Sequence, residues 1–206
     1  GYLEIMNYSF TGVKEIQKLG LPEGDLRNDP MPILNPLGED TAVMRPTLVC
    51  DMCKTLAFNM NHSTESASLY EMAAVFDHHH PTEEGLPTET QTLCLGAYGA
   101  DVDFFIVRTA VEAILRMSGV TCEVEAGGDC YYHPGRVARL VRGNVVFAQV
   151  GEIHPAVRER YGMSKRAVVA EVNLQTLLAS FMPMGEMKPL PRFPAMQRDL
   201  ALVMEE

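Results

Sequence analysis

The sequence predicts an α+β fold in which an antiparallel sheet is backed by helices on one face. Two pairs of strand-like runs, 68–76 with 91–98 and 136–142 with 145–153, are each separated by polar or turn-forming residues. Two amphipathic segments have the periodicity of helices. Because hairpins outnumber any strand-helix-strand crossover, an antiparallel sheet is favoured.

The first sixty residues predict one strand and two helices. Residues 2–10 alternate and are rich in aromatic side chains, which is typical of a strand, and Thr11 can cap a short helix to about Leu19. Residues 21–30 are mostly of types that favour turns. Apolar residues at helical spacing then predict an amphipathic helix over 46–61, with Pro46 in its first turn.

Capping and turn-forming residues indicate where the following elements begin and end. Asp103 is a good N-cap for a helix over 104–118, which Gly119 ends. The pair Gly143-Asn144 is typical of the turn in a tight two-residue hairpin. The remaining predictions are a strand at 121–125, a short helix from Pro155 to about Tyr161, a strand at 167–174 and a helical turn to about Phe181.

The composition changes after Phe181. Four prolines in the thirteen residues 182–194 predict an extended connector, and 198–204 is the beginning of a further strand. We therefore expect one domain over 1–181 and, over 182–206, a linker with the first strand of a second domain. Since the first residue is not Met, we expect an excised fragment.

Charge limits the function classes. The chain has 206 residues and a formal charge of −10, which argues against a free-standing nucleic-acid binder. There is no Lys or Arg between Lys54 and Arg108, and no apolar run of the ~18 residues that a membrane helix needs. Seven of the seventeen cations gather in one later stretch: Arg136, Arg139, Arg142, Arg158, Arg160, Lys165 and Arg166.

Five cysteines, an odd number scattered through apolar segments, favour reduced thiols and a cytoplasmic location. Cys50 and Cys53 form a CxxC pair, which is a redox motif or half of a zinc site. The second half of a zinc site is missing, however, and both residues fall in the apolar helical series. Cys53 is most simply a small core residue.

Three consecutive histidines, His78 to His80, lie between Asp77 and two glutamates. On an extended segment only His78 and His80 share a side, and Asp77, Glu83 or Glu84 could then supply oxygen ligands. The alternative is the polar tip of a long hairpin, which we favour because no metal-ligand spacing is met. We expect these histidines to be exposed, poorly ordered and without a specific ion.

A second polar group could form at the ends of the later hairpin. His133 and Arg136 begin one strand, and Glu152 and His154 end the next, so a tight hairpin could bring them together as an acid-base or anion site. The alternative is that both His-Pro pairs only form turns. No nucleophile, phosphate-binding glycine loop or HExxH motif accompanies them. The residues alone predict no catalytic, cofactor or metal site.

Six stretches in order resemble the beta subunit of bacterial phenylalanyl-tRNA synthetase. They are 2–10, 35–48, 69–76, 133–136, 151–155 and 192–202, and together they cover almost the whole chain. The resemblance implies the core module of that subunit, similar in fold to a class II synthetase catalytic domain. It also implies that 182–206 enters a ferredoxin-like anticodon-binding domain.

What the resemblance implies about function agrees with the residues. In an active class II domain the hairpin equivalent to 68–98 carries an Arg towards the ATP phosphate, and this interval has no cation. Ala73 and Ala74 stand where the family commonly has Gly and Arg. The family's ATP and phenylalanine sites belong to the alpha subunit, so ATP and magnesium serve the whole enzyme, and no cofactor is expected on this module.

The resemblance implies a scaffolding role in a heterotetramer. The expected partners are the alpha subunit and, in the full complex, tRNA(Phe), with no membrane. The expected interface is one face of the amphipathic helix, although the same face could be buried within the domain: Val49, Met52, Cys53, Leu56 and Met60. The rival hypothesis is a small metal-dependent enzyme built on either histidine group.

Overall fold

A computed structural model describes residues 1–181, 198–201 and 204 of the chain. The predicted connector over 182–194 lies outside these residues, as do residues 202 and 203 of the predicted strand at 198–204. Among the described residues there is no helix that is both long enough and apolar enough to cross a membrane.

The described elements are nine strands and five α-helices. The strands are β1 (Leu3–Glu4), β2 (Phe10–Thr11), β3 (Val43–Met44), β4 (Ala67–Asp77), β5 (Thr88–Tyr98), β6 (Glu123–Ala126), β7 (Tyr132–Arg142), β8 (Val145–Ile153) and β9 (Val168–Asn173). The helices are α1 (Val13–Gln17), α2 (Val49–Asn61), α3 (Phe104–Met117), α4 (Pro155–Arg160) and α5 (Leu174–Ala179). From α2 onwards their existence and order follow the sequence prediction, whereas the preceding residues hold three short strands where one was predicted.

Seven strands form one sheet in the order β1-β4-β5-β9-β8-β7-β6, while β2 and β3 pair separately. All neighbours in the large sheet are antiparallel except β1 and β4, which are parallel, so the sheet is mixed. The β4–β5 hairpin is in register from Ala67 opposite Tyr98 to Asp77 opposite Thr88. The predicted α+β class is confirmed.

Helices cover both faces of this sheet, so the prediction of helices on one face is wrong. Alternate residues of β5 point in opposite directions: Leu93 and Leu95 belong to the core with α3 and α5, whereas Cys94 belongs to the core with α2. At Gly96 the approach of α2 is so close that a Cβ atom would lie 2.5 Å from Met52 Sδ.

The first strand is shorter than the predicted strand over residues 2–10. After β1, Ile5 N donates to Tyr70 O, and Asn7 then turns away from the ladder to bind the Glu71 carboxylate at 3.0 and 2.8 Å. Strand pairing therefore ends after Glu4. Gly12 rather than Thr11 occupies the N-cap of α1.

Helix α2 begins three residues later than predicted. Thr47 Oγ1 accepts a hydrogen bond from Val49 N at 3.2 Å, and Glu171 Oε1 accepts one from Leu48 N at 2.9 Å. These groups satisfy backbone donors that a helix start leaves without partners. Two local predictions are confirmed, since Asp103 caps α3 through Ile106 N at 2.9 Å and Gly143 has φ +60° in the hairpin.

Candidate functional site

A cleft of about 400 Å³ opens on the α2 side of the sheet. Its floor is formed by side chains that alternate with the α3-facing core residues, among them Thr92, Gln149 and Glu171. One wall is the end of β4 with His78 and His79, and the turn at 26–30 lies against these histidines. The cleft is thus built from segments far apart in the sequence.

Glu171 is a half-buried acid of this cleft. Its Oε1 accepts hydrogen bonds from Thr47 Oγ1 and Leu48 N, both at 2.9 Å, and burial raises the pKa of this carboxyl. The carboxylate lies at the N-terminus of α2, where the helix dipole favours negative charge. Its hydrogen bonds therefore fix the start of α2 against β9.

Arg27 is the only Lys or Arg among the described residues that line the cleft. Its guanidinium is 2.7 Å from Asp25 Oδ2 and 2.8 Å from Asp129 Oδ2, and it lies 5.7 Å from the centre of the Tyr131 ring. The hydrogen bond from Arg27 also holds the pKa of Asp25 below its ordinary value. With Asp29, Asp77 and Glu171 also present, the cleft is acidic.

The structure differs from the prediction in how exposed the three histidines are and in which of them lie on the same side. His78 and His79 are half-buried, their rings are 4.1 Å apart, and only His80 is exposed. Their backbone bends after β4, because Asp77 Oδ1 accepts a hydrogen bond from His79 N at 2.8 Å. This bend breaks strand alternation, so adjacent histidines share a side.

The metal-enzyme alternative is not supported by this geometry. His80 Nδ1 is 2.7 Å from Asp77 Oδ2, so it pairs with its own turn instead of joining His78. Among the described residues, one group of three potential metal ligands converges, and it consists of Asp29, His78 and His79. Neither predicted set, with Glu83 or with His133, forms a group of this kind in the described part of the chain.

The hairpin does bring part of the second polar group together. Arg136 Nη1 lies 2.7 Å from Glu152 Oε2, as the β7–β8 pairing allows. His133 Nδ1 instead accepts from Gly135 N at 3.1 Å, and His154 Nδ1 accepts from Ala156 N at 3.1 Å to cap α4. The two histidines therefore act as turn and cap residues, which was the alternative interpretation.

The face of α2 expected at a subunit interface lies inside the domain. Four of its residues are fully buried and the fifth nearly so: Val49, Met52, Cys53, Leu56 and Met60. The expectation that this face contacts a partner is therefore corrected. Burial also raises the pKa of the Cys50 and Cys53 thiols, which opposes thiolate chemistry at the CxxC pair.

A buried charged cluster lies beside α2, and sequence reasoning missed it. Arg45 Nη1 is 2.7 Å from Glu71 Oε1, and Arg45 Nε donates to Ala74 O at 3.1 Å. Asp51 Oδ2 is 3.9 Å from Arg45 and has no hydrogen-bond partner, and burial raises the pKa of Asp51 to about 6. The sequence signal for this cluster was a single charged residue within each of several otherwise apolar segments.

At least four of the seven clustered cations make contacts within the domain. Arg136 and Arg166 both approach Glu152, at 2.7 and 4.0 Å. Lys165 donates to Glu65 O, and Arg160 donates to Lys18 O. Several of these cations therefore have partners within the domain.

Comparison with known proteins gives consistent matches. A family model described as the phenylalanyl tRNA synthetase beta chain CLM domain matches residues 1–174. The phenylalanine–tRNA ligase beta subunit of Clostridium acetobutylicum is 36% identical over the whole chain, and that of Clostridium tetani is 32% identical. The chain spans 26% of the length of each of these relatives.

A solved structure shares the fold. The pyrrolysyl-tRNA synthetase of Desulfitobacterium hafniense superposes with a TM-score of 0.70, covering 87% of this chain and 63% of its own. The two sequences are 13% identical, so this likeness concerns the fold alone.

Proposed function

The chain belongs to the phenylalanyl-tRNA synthetase beta-chain family, and on this premise we propose that it is a non-catalytic module that assembles the ligase. Its part in the reaction is to support the ATP-dependent attachment of phenylalanine to tRNA(Phe) by the heterotetramer. ATP and magnesium act at the alpha subunit, and both this subunit and tRNA(Phe) are partners of the complete enzyme.

The observation that carries this proposal is the charge of the cleft. A triphosphate needs Arg, Lys or bound metal ions to neutralise it. The lining carries Asp29, Asp77 and Glu171, and Arg27, the one guanidinium that the described residues contribute, is held by two aspartates. The strands β4 and β5 add no Lys or Arg at all. Among the described residues that line the cleft, no Lys or Arg other than Arg27 can neutralise a triphosphate, which supports a structural role.

For the alpha-subunit contact we propose an assembly surface formed by Met6, Tyr8 and Phe58. These side chains are 92%, 75% and 61% exposed, and Met6 and Tyr8 flank Asn7 in the sequence. They are linked through Asn7, which receives a hydrogen bond from Thr55 on α2 at 3.3 Å. The buried face of α2 thus holds the domain together while its outer face meets the partner.

Co-purification of the chain with the matching alpha subunit tests this surface. We expect Phe58→Ala, alone or with Met6→Lys, to weaken retention of the alpha subunit, because apolar contact area is lost at the interface. Phe105→Ala is the matched control, since Phe105 is 64% exposed on α3, against the opposite face of the sheet. Equal retention by the Phe58 and Phe105 variants would place the interface elsewhere.

The remaining assignments complete the proposal. Residues 1–181 are the synthetase-like core domain, and residues 182–206 are a linker leading into a ferredoxin-like anticodon-binding domain. A cytoplasmic location is supported by the five cysteines, all of which are free thiols. The cations between Arg136 and Arg166 offer a weak surface for tRNA(Phe) in the complete enzyme.

A further inference from the structure

We propose that Asp29, His78 and His79 form a non-catalytic binding site for a divalent transition metal ion such as Zn²⁺. One carboxylate oxygen of Asp29 and one ring nitrogen of each histidine all lie within 4.8 Å of one another. Two imidazoles with one carboxylate are a donor set that suits zinc, nickel or cobalt, whereas magnesium and calcium prefer oxygen ligands.

The distances fit one ion. Zinc lies about 2.0–2.1 Å from nitrogen or oxygen ligands, so two ligands of a tetrahedral site are separated by roughly 3.3–3.4 Å. Asp29 Oδ2 is 3.7 Å from His78 Nε2 and 3.5 Å from His79 Nε2. The distance from Asp29 Oδ2 to each histidine nitrogen is therefore within a few tenths of an ångström of the separation that an ion requires. His79 Nε2 would exchange its contact with Asp29 O, at 3.0 Å, for the ion.

Both sides of the site are held in place by the fold. The Asp77 carboxylate binds His79 N and the His80 ring, which fixes the bend that turns two adjacent histidines to one side. Asp29 ends a 3₁₀ turn, donating its N–H to Leu26 O at 3.1 Å, and the buried Pro30 follows it. Metal ligands held by a supporting shell in this way bind with less ordering cost.

This site differs from a simple run of histidines that binds metal ions without a defined geometry. It joins β4 to a turn about fifty residues earlier in the chain, so a bound ion would cross-link two distant segments and stabilise the folded state. It includes neither His80 nor the glutamates of the loop. Its open side faces the cleft, where a water molecule can complete the coordination.

Titration of the purified chain with Zn²⁺, followed by calorimetry and thermal unfolding, tests the site. We expect one tight equivalent, a higher melting temperature with Zn²⁺, and no effect of Mg²⁺ at the same concentration. Asp29→Asn should weaken binding at least about tenfold and remove the thermal shift. Because the Asp29 side chain is 77% exposed, this variant leaves the fold intact, which circular dichroism verifies.

His79→Ala and His80→Ala separate the two interpretations. His79→Ala should abolish the tight equivalent, whereas His80→Ala should retain both the affinity and the thermal shift of the parent. The proposal is overturned if the parent binds no tight equivalent, if Asp29→Asn binds as the parent does, or if His80→Ala loses as much affinity as His79→Ala. The last two outcomes indicate an exposed histidine run that binds metal adventitiously.

Discussion

Replacing Arg45 with Met should cost more stability than replacing any exposed cation of this chain. The Arg45 and Glu71 side chains are 1% and 2% exposed and only 2.7 Å apart. Removing one partner of a buried ion pair costs about 3–5 kcal/mol, because the other charge is left uncompensated. Glu71 would keep its two hydrogen bonds from Asn7, so we expect a loss near the lower end, about 3 kcal/mol.

Urea unfolding followed by circular dichroism measures this loss, since the chain has no Trp to report by fluorescence. In a double-mutant cycle, Arg45→Met with Glu71→Gln should cost less than the sum of the single changes, by about 1–3 kcal/mol. Lys14→Met is the control, because it breaks an exposed pair, Lys14 with Glu39 at 2.8 Å, and should leave the unfolding midpoint unchanged. A loss below about 1 kcal/mol for Arg45→Met, or strict additivity, would refute the reasoning.

Two further predictions concern buried groups near α2. The pKa of Asp51 is raised by burial from 3.8 to about 6, so the folded state binds this proton more tightly than the unfolded state does between those values. Asp51 therefore adds stability as the pH falls through that window, and comparison of parent and Asp51→Asn at about pH 4.5 and 7.5 should show the parent gaining about 2 kcal/mol relative to the variant at the lower pH. No change in that difference would contradict a raised pKa. Second, a thiol reagent should modify the exposed Cys130 in the native protein well before Cys50 or Cys53, whose pKa values are raised by burial, and rapid labelling of either buried thiol would contradict their placement in the core.

Local sequence signals predicted most elements of this fold. Asp103 before an apolar helical series, Gly143-Asn144 between alternating runs, and Pro155 before a short helix each mark a boundary through chemistry within a few residues. Such signals do not depend on the rest of the chain, which explains their accuracy. The face arrangement was missed although β5 carried a sign of it, since Leu93, Cys94 and Leu95 are apolar in succession, as in a strand covered on both sides.

The site could not be predicted because its residues meet only in three dimensions. Glu171 caps a helix that begins more than one hundred residues earlier, and Asp29 meets His78 and His79 across about fifty. Periodicity shows that a residue faces the core or a cleft, but it does not show which distant residue lies opposite. The sequence therefore indicated an interval without cations correctly, while it paired His78 with His80 instead of His79.

The most direct test of the proposed role is phenylalanine-dependent exchange of pyrophosphate into ATP by the purified chain. The acidic cleft, in which the only guanidinium among the described lining residues is bound to Asp25 and Asp129, predicts no exchange above the level of a blank preparation. Exchange that elutes with the chain and disappears in an Arg27→Ala variant would contradict a non-catalytic module.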